Sequence, residues 1–337
     1  MANSKRLNLV KKYLQGRLRF TEFAITNACI AKCSFCDIWK QQPKIFVDKE
    51  KALRAIDRLA DFGVAHLTIT GGEPLLHPDV IAFVERAAAR GMNNAVLNAA
   101  PILLTRNDIL KRLEDAGCDV LSVSFDSGDP IIMAESRKIP NIMDEMARAM
   151  EMVKRTGLKT MASVLIWNDN YDKLEEVCVR AKNMGYDYIA FNYPTFSESK
   201  VYPLGGSAVS LSREDVIFAL GEAVKLRKTG KYGIINSALS MRNIINYLRD
   251  PKTAAFHCLG GRRVLFLDWF FDIHPCMQLP RTLGNILDRG MRESRLDMPP
   301  CTDSNMSWYR DLSMFMQGPR SVPVLLESLG GGVKSFI

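Results

Sequence analysis

The sequence has no long hydrophobic run and no secretory signal. No stretch of 18 apolar residues occurs among its 337 residues, so it predicts no membrane-spanning helix. Residues 1–12 are basic, but no apolar segment and no small-residue cleavage site accompanies them. We therefore expect a cytoplasmic protein, in which thiols stay reduced and structural disulfides are rare.

The composition excludes several further classes of protein. Hydrophobic residues make up 47% of the chain and charged residues 24%, which excludes a disordered or collagen-like protein. The formal net charge is +8, from 45 Lys+Arg against 37 Asp+Glu. These charges are scattered, without an RNA-binding module or an aromatic-studded basic stripe, so we expect no nucleic-acid partner. The eight cysteines point to metal or Fe–S ligation, unless they are simply buried thiols.

Short apolar strands alternate with helices through roughly the first 200 residues. The strands are predicted over residues 20–26, 64–70, 94–98, 120–125, 160–166 and 188–192. The intervening helices, each followed directly by a glycine, are predicted over residues 48–62, 79–90, 107–116, 141–156 and 171–184. The alternation implies parallel pairing with right-handed crossovers, in either an open doubly wound sheet or a partial barrel. Ligands bind at the carboxyl ends of the strands in both.

The pattern changes near residue 200. A loop rich in serine and glycine, residues 197–210, is a candidate lid, and helices are predicted over residues 212–229 and 237–248. From residue 256 onward the chain holds glycine pairs, a hairpin-like stretch and three cysteines. We therefore divide the chain into an N-terminal segment (1–18), an α/β domain (19–200), a helical connector (201–255) and a C-terminal domain with its tail (256–337).

Three cysteines stand close together just after the first strand. Cys29, Cys33 and Cys36 follow the spacing C-x3-C-x2-C. A zinc site would need a fourth Cys or His at short spacing, and the nearest histidine in sequence is His66. Three thiolates without a local fourth ligand suit a [4Fe–4S] cluster with one open iron.

This cysteine motif, with the aromatic Phe35 before its last member, closely resembles that of the radical S-adenosylmethionine (radical SAM) enzymes. A second segment, Gly71-Gly72-Glu73-Pro74 after the second strand, resembles the GGE segment of that family. The resemblance implies an α/β fold built as a partial (βα)6 TIM-like barrel. It also implies that the open iron chelates S-adenosylmethionine (SAM), which one electron cleaves to a hydrogen-abstracting 5′-deoxyadenosyl radical. The glycines permit close backbone approach, and Glu73 is expected to accept the SAM ammonium.

Other polar residues resemble SAM-contacting positions of the family. Ser122, Ser124 and Asp126 alternate along and just after the fourth strand, so they can line one face. Arg137 stands where many relatives hold an arginine that pairs with the SAM carboxylate, and its bidentate fork suits that task. The residues expected near the ribose lie on or after the fifth and sixth strands: Ser163, Asn168 and Asn192. The alternatives are ordinary strand-end hydrogen bonding for the Ser and Asn residues and a surface position for Arg137.

The last 80 residues resemble the SPASM or twitch extension of radical SAM enzymes. In that extension a cysteine precedes a β-hairpin, a Pro-Cys follows it and a Gly-Asn-Ile segment comes next. The resemblance implies an auxiliary [4Fe–4S] cluster held by Cys258, Cys276 and Cys301, with a fourth iron site that is open or filled by a non-cysteine ligand or the substrate. Phe270 and Phe271 depart from the usual glycine turn, and the cysteines are too few for two auxiliary clusters. The alternative is three buried thiols.

Two cysteines and two histidines remain to be assigned. Cys118 and Cys178 have apolar neighbours on or beside predicted helices, which favours core packing. His257 and His274 flank the proposed ligands of the auxiliary cluster. Each could replace a missing ligand or hydrogen-bond a cluster sulfur, but we expect ordinary structural histidines.

Three functions are consistent with these features. The first is a radical SAM enzyme acting on a small biosynthetic intermediate, such as a sugar, nucleoside or aminocyclitol, by dehydrogenation, epimerisation, decarboxylation or rearrangement. The second is a peptide- or lipid-modifying radical SAM enzyme, although only about 18 residues precede the first strand, too few for a peptide-recognition domain. The third is a non-catalytic Fe–S sensor or scaffold, which would not need a GGE segment. The positive charge suits an acidic electron donor such as a flavodoxin or ferredoxin.

Overall fold

A computed structural model describes residues 2–195, 201, 209–253, 256–299, 301 and 306–316. Nine strands of this described part form one sheet: Arg19–Ala24 (β1), Val64–Thr70 (β2), Asn93–Val96 (β3), Val120–Ser124 (β4), Lys159–Leu165 (β5), Tyr188–Asn192 (β6), Val264–Leu267 (β7), Asp272–His274 (β8) and Gly284–Asn285 (β9). Their order is β6-β5-β4-β3-β2-β1-β7-β8-β9, so β6 and β9 are the edges and the sheet stays open.

The six predicted strands are all present and pair in parallel. Each strand from β1 to β6 pairs with the next one along the chain. The α/β prediction with its parallel sheet is therefore confirmed. On the other side of β1, β7 also pairs in parallel, whereas β8 and β9 continue the sheet in antiparallel fashion. The predicted hairpin thus extends the same sheet, while the domain boundaries near residues 200 and 255 remain predictions.

The described residues contain eleven α-helices: Ala2–Leu14 (α1), Lys49–Asp61 (α2), Val80–Ala89 (α3), Pro101–Leu104 (α4), Ile109–Asp115 (α5), Pro130–Arg137 (α6), Ile142–Val153 (α7), Leu174–Met184 (α8), Arg213–Lys228 (α9), Ala238–Arg249 (α10) and Ser307–Met316 (α11). Helices α1, α4, α6 and α11 were not predicted. Both α4 and α6 begin at a proline, which fits the first helical turn, and Asp129 caps α6 by accepting from two backbone N–H groups. None of the helices in the described part is long and apolar enough to cross a membrane.

Local sequence explains the helix boundaries that were predicted. Asp48 caps α2 by accepting a 2.9 Å hydrogen bond from the Lys51 backbone N–H. Gly63 follows this helix with φ of +88°, a conformation that favours glycine. At α9, Ser212 and Asp215 form a reciprocal capping box. These caps fix where the helices begin and end between the strands.

The two faces of the sheet differ in chemistry. On β4, Leu121 and Val123 belong to the large core between sheet and helices. The alternate residues Ser122 and Ser124 belong to the other face, where Val120 joins a small apolar cluster. This second face is here called the inner face. It carries the polar side chains of β4, so the candidate functional groups of this strand lie on the inner face.

Helix α11 covers part of the inner face. It packs against β6, β7 and α10, and its Phe315 ring lies 5.9 Å from the Tyr13 ring of α1. Two of its residues, Ser307 and Trp308, line the cavities of the inner face. The candidate lid, residues 197–210, lies outside the described residues except at positions 201, 209 and 210.

Candidate active site

The loop after β1 brings Cys29, Cys33 and Cys36 together at the carboxyl end of the sheet. All three thiols are free of disulfides. Burial raises the pKa of Cys29 to about 12, and the neighbouring thiols of Cys33 and Cys36 add to the rise. Backbone N–H groups of Ala31 and Ile38 point at the sulfurs of Cys29 and Cys36. Metal binding would deprotonate these thiols and compensate the buried charge.

A cavity of about 470 Å³ lies in front of the three cysteines. Most of the predicted site residues line it: Cys29, Cys33, Cys36, Gly71, Gly72, Glu73, Ser124, Arg137, Ser163 and Asn192. The cavity therefore joins the two motifs that lie far apart in sequence. It lies where the parallel strands end, as the βα alternation predicts.

Gly71 and Gly72 are needed for contact between two loops. Added Cβ atoms would lie 2.3 Å from the Thr26 carbonyl oxygen and 2.1 Å from the Ala28 carbonyl oxygen, respectively. The Gly72 N–H donates to Thr26 over 2.8 Å, and the Glu73 N–H donates to Ala28 over 2.7 Å. The GGE segment is thus held directly against the backbone that leads into the cysteine loop.

The Glu73 carboxyl group accepts hydrogen bonds from the backbone that follows two neighbouring strands, β2 and β3. Its Oε1 accepts from the Leu75 N–H over 3.0 Å, and its Oε2 accepts from the Ala100 N–H over 2.7 Å. Burial raises the pKa of Glu73 to about 8, although these two hydrogen bonds oppose the rise. A nearby ammonium ligand would favour the ionised form of Glu73, whose remaining lone pairs could accept from it, so the contact with a ligand ammonium is still a prediction.

Arg137 and Asp126 form a buried ion pair beside the cysteine loop. The Arg137 Nε donates to Asp126 Oδ2 over 2.9 Å, and Nη2 donates to the same oxygen. A third nitrogen, Nη1, lies 3.7 Å from the Cys33 sulfur, and the guanidinium is 5.0 Å from the Phe35 ring centre. Burial alone would lower the pKa of Arg137, but Asp126 outweighs it and the pKa is raised. The arginine fork is therefore directed at Asp126 rather than at the open cavity.

Only some of the remaining predicted residues lie on the cavity wall. Ser124 donates to Asn98 over 3.4 Å, and Asn192 donates to Ser163 over 3.0 Å, all four on the cavity wall. Ser122 is buried and does not line this cavity. Asn168 is exposed, and hydrogen bonds connect it to Ser210 instead.

The sequence did not single out Asn170, although it lies two positions from Asn168. Asn170 is buried and donates to the carbonyls of Asp126 and Leu165, both over 2.8 Å. Its side-chain oxygen accepts from the Trp167 N–H over 2.9 Å. Asn170 therefore joins the ends of β4 and β5. The sequence does show two asparagines after the fifth strand, Asn168 and Asn170. Only their different burial in the structure distinguishes them.

The second cysteine group also comes together in space. Cys258 and Cys301 are bridged through their backbones, with a 2.7 Å hydrogen bond from the Cys258 N–H to the Cys301 carbonyl. Burial raises the pKa of Cys258 to about 11, and the thiols of Cys301 and Cys276 contribute. The Gly260 N–H lies 3.3 Å from the Cys258 sulfur. Three neighbouring thiols, with an N–H donor at one sulfur, are groups that could hold an Fe–S cluster.

The flanking histidines and the remaining cysteines have other surroundings. His274 binds Asp268 Oδ2 over 3.0 Å and the Arg281 carbonyl over 3.2 Å, so both ring nitrogens are engaged within the hairpin. His257 is exposed. Cys118 and Cys178 are buried in the core between sheet and helices, as predicted for packing residues.

The first cysteine group fits a [4Fe–4S] cluster and SAM. Its thiols line a cavity that also borders the GGE segment, and a cationic Arg137 lies beside one sulfur. In the described part of the chain, no three His, Cys, Asp or Glu side chains converge on a single metal ion. A cluster does not require such convergence, because each of its cysteines binds a different iron.

Comparison with known proteins agrees with this geometry. Residues 23–181 match the model of the radical SAM superfamily. The AdoMet-dependent heme synthase of Oleidesulfovibrio alaskensis is 22% identical over 306 residues, which cover 85% of this chain and 77% of that protein. The corresponding enzyme of Methanosarcina barkeri is 24% identical over 294 residues, covering 82% and 81%.

Among solved structures, Streptococcus suis SuiB bound to S-adenosylmethionine has a similar fold. Its TM-score is 0.62 at 13% identity, covering 94% of this chain and 70% of SuiB. The two sequence motifs, the cavity that joins them and the family match together define the class. Residues 23–181 of this chain therefore form a radical SAM domain.

Proposed function

We propose that this protein reductively cleaves SAM and uses the resulting radical to abstract hydrogen from a small biosynthetic intermediate. The observation that carries the proposal is the single cavity shared by the three thiols and the GGE segment. When bound, the [4Fe–4S] cluster would supply the one electron for cleaving the sulfonium–C5′ bond of SAM, with methionine and, after hydrogen abstraction from the substrate, 5′-deoxyadenosine as products.

The side chains of this chain would bind and orient the cofactors. Cys29, Cys33 and Cys36 would hold the cluster and leave one iron for SAM. Glu73 would accept the SAM ammonium, since it is anchored by two backbone N–H groups and lines the cavity. We assign Arg137 a positioning role, because its fork is occupied by Asp126 while it touches the cysteine loop.

The ribose of SAM is the expected neighbour of the polar cavity wall. Ser163 and Asn192 are hydrogen-bonded to one another and line the cavity on the β5–β6 side. Ser124 lines the same wall, whereas Asn168 lies outside it. We therefore retain Ser163, Asn192 and Ser124 as candidate SAM-binding residues.

A small-molecule substrate is supported by two arguments. The heme synthases, which make a small molecule, align with more than four-fifths of this chain. In addition, Ser307 and Trp308 of α11 form part of the cavity wall, so this helix bounds the cavity on its inner side. A peptide substrate is the second candidate, because the similar fold of SuiB has been solved with its precursor peptide SuiA.

We further propose that Cys258, Cys276 and Cys301 hold one auxiliary [4Fe–4S] cluster. Their mutual proximity and the N–H of Gly260 at the Cys258 sulfur support this assignment. An acidic flavodoxin or ferredoxin is the proposed electron donor, given the net charge of +8.

The catalytic proposal is tested by anaerobic reconstitution with dithionite and SAM. We expect 5′-deoxyadenosine from the unmodified protein and none from the Cys29→Ala/Cys33→Ala/Cys36→Ala variant. The matched control is Cys118→Ala/Cys178→Ala, which removes two packing thiols and should retain the product. Absence of 5′-deoxyadenosine from the unmodified, fully loaded protein would favour a sensor or scaffold.

Iron quantification tests the auxiliary cluster separately. The variant that lacks the first three cysteines should retain about four irons per chain. Further replacement of Cys258, Cys276 and Cys301 by Ala should remove them. An iron-free first variant would contradict the auxiliary cluster without touching the SAM-cleavage proposal.

A further inference from the structure

A second, smaller cavity lies deeper on the inner face of the sheet. Its volume is about 160 Å³, close to the roughly 150 Å³ that accommodates a benzene ring in an engineered protein. Its lining includes the apolar side chains of Phe20, Ala95, Met161, Ala190 and Leu312. This inner cavity can therefore hold an apolar group about the size of one ring.

The cavity of about 470 Å³ in front of the first cysteine group is here called the SAM cavity. The inner cavity adjoins it along a shared wall, here called the neck. Six residues line both cavities and define it: Glu22, Leu97, Ser163, Asn192, Ser307 and Trp308. Three of them satisfy one another, since Ser307 donates to Asn192 over 3.2 Å and Asn192 donates to Ser163 over 3.0 Å. The neck is thus a polar strip between two cavities.

Two buried polar atoms of the neck have no hydrogen-bond partner within the described part of the chain. They are Glu22 Oε2 and Trp308 Nε1, and the Glu22 residue is only 5% exposed. An unsatisfied buried polar atom is costly, so a native structure retains one where a ligand or water completes it. Both atoms belong to the same six-residue wall, which points to a ligand group that binds there.

The protonation state of Glu22 decides whether the ligand group that binds there accepts or donates a hydrogen bond. Burial raises the pKa of Glu22 to about 8 and the nearby Tyr309 hydroxyl opposes the rise, while none of the basic side chains that the structure describes contributes. The carboxyl is therefore mostly protonated at pH 7 and can donate a hydrogen bond. The Trp308 indole N–H is a donor only. Two donors on one wall match a hydrogen-bond-accepting oxygen.

We propose that the neck binds the carbonyl or carboxylate oxygen of the substrate through Glu22 and Trp308, with the apolar part of the substrate in the inner cavity. This inference rests on the proposed function and names its substrate class: a compact carbonyl or carboxylate compound. The oxygen would lie at the border of the SAM cavity, so the C–H bonds on the carbon next to the carbonyl or carboxylate group would be those nearest the radical.

Tyr309 lies near Glu22 on one side and near Cys276 and Cys258 on the other, because burial and these three groups together raise the pKa of its hydroxyl. Glu22 also lines the cavity of the first cysteine group. The neck is therefore close to residues of both cysteine groups.

The test is equilibrium dialysis of the reconstituted protein with radiolabelled benzoate in the presence of SAM. The unmodified protein should bind benzoate saturably, and Glu22→Met or Trp308→Phe should each weaken that binding by tenfold or more. Benzamide, which carries an acceptor oxygen, should compete, whereas benzylamine, which carries none, should not.

Two other unsatisfied buried atoms provide matched controls. Thr21→Val and Trp167→Phe remove the unpartnered Thr21 Oγ1 and Trp167 Nε1, neither of which belongs to a residue lining the two cavities. Both variants should bind benzoate within twofold of the unmodified protein.

Three results would overturn the proposal: no saturable benzoate binding, equal losses in the control variants, or stronger competition by benzylamine than by benzamide. The last would mean that Glu22 is ionised and recognises a cation. Because dialysis measures no turnover, a failure of SAM cleavage would leave this binding result intact, and the two proposals can fail separately.

Discussion

The Arg137 guanidinium joins Asp126, at the end of β4, to the sulfur of Cys33 in the cysteine loop. Asp126 is fully buried and the Arg137 side chain is 14% exposed, so this ion pair is shielded from water. The second carboxylate oxygen, Oδ1, accepts from the Leu165 N–H over 2.9 Å. One carboxylate therefore links β4, β5 and the loop that is proposed to hold the cluster.

Replacement of Asp126 by Asn should destabilise the protein by about 3–5 kcal/mol, because it leaves a buried guanidinium without a counter-charge. The double variant Asp126→Asn/Arg137→Met should be more stable than the single one, since it removes the orphaned charge. Chemical denaturation measures both. Asp115→Asn, which breaks the exposed pair with Lys111, is the control and should not shift the unfolding midpoint.

His66 makes stability depend on pH. Burial lowers the pKa of His66 to about 4, with Asp119 raising it and Lys5 lowering it by smaller amounts. The unfolded chain binds this proton near pH 6.5, and the folded chain does not until about pH 4. Stability therefore falls as pH drops through this window, by about 2 kcal/mol between pH 7 and pH 5.

Replacement of His66 by Phe removes this titration and keeps an aromatic ring beside Phe20 and Trp308. Urea unfolding at pH 7, 6 and 5 should show the variant losing about 2 kcal/mol less than the unmodified protein. Parallel pH profiles for the two proteins would show that His66 titrates normally in the folded state.

Much of the fold and of the SAM cavity followed from short-range sequence signals. The βα alternation gave all six parallel strands, and caps such as Asp48 gave the helix boundaries. Alternation along β4 correctly places Ser122 and Ser124 opposite the core residues Leu121 and Val123, but of Ser122, Ser124 and Asp126 only Ser124 lines the cavity. Periodicity and capping act over a few residues, so the sequence displays them directly.

Features that depend on long-range contacts could not be predicted. The pairing of β7 with β1 joins segments more than 200 residues apart in sequence. The placement of α11 over the inner face depends on its contacts with β6, which lies more than 100 residues earlier in the chain. Glu22 was not singled out, because a carboxylate on a strand shows neither its burial nor its missing partner. Likewise, only the fold shows that Asn170 is buried while Asn168 is exposed.

Arg310 holds α11 in place through its planar group. Its guanidinium lies 4.0 Å from the Phe256 ring centre and 4.7 Å from that of Tyr247, and it donates to Asn243. Arg310→Lys keeps the charge but loses the stacking plane, so we expect a loss of about 2 kcal/mol in stability. Denaturant unfolding measures it, with the exposed Arg249→Lys as the control that should not change. Equal stabilities of the two variants would contradict a role for stacking.

Gly72 offers a direct test of how the GGE segment supports the cysteine loop. A Cβ at this position would lie 2.1 Å from the Ala28 carbonyl oxygen, and a backbone atom cannot rotate away as a flexible side chain can. Gly72→Ala should therefore displace the backbone next to Cys29, cost about 2 kcal/mol or more, and lower the iron bound by the first cysteine group.

Gly221 supplies the matched control, because an added Cβ there meets nothing within 4 Å. It lies inside α9, so Gly221→Ala should stabilise the protein by about 0.5–1 kcal/mol and leave its iron content unchanged. The comparison is made by iron quantification and denaturant unfolding in a Cys258→Ala/Cys276→Ala/Cys301→Ala background, where only the first cluster contributes iron. Full iron loading of the Gly72→Ala variant would show that the two loops can separate without disturbing the cluster ligands, and that the glycines serve SAM contact alone.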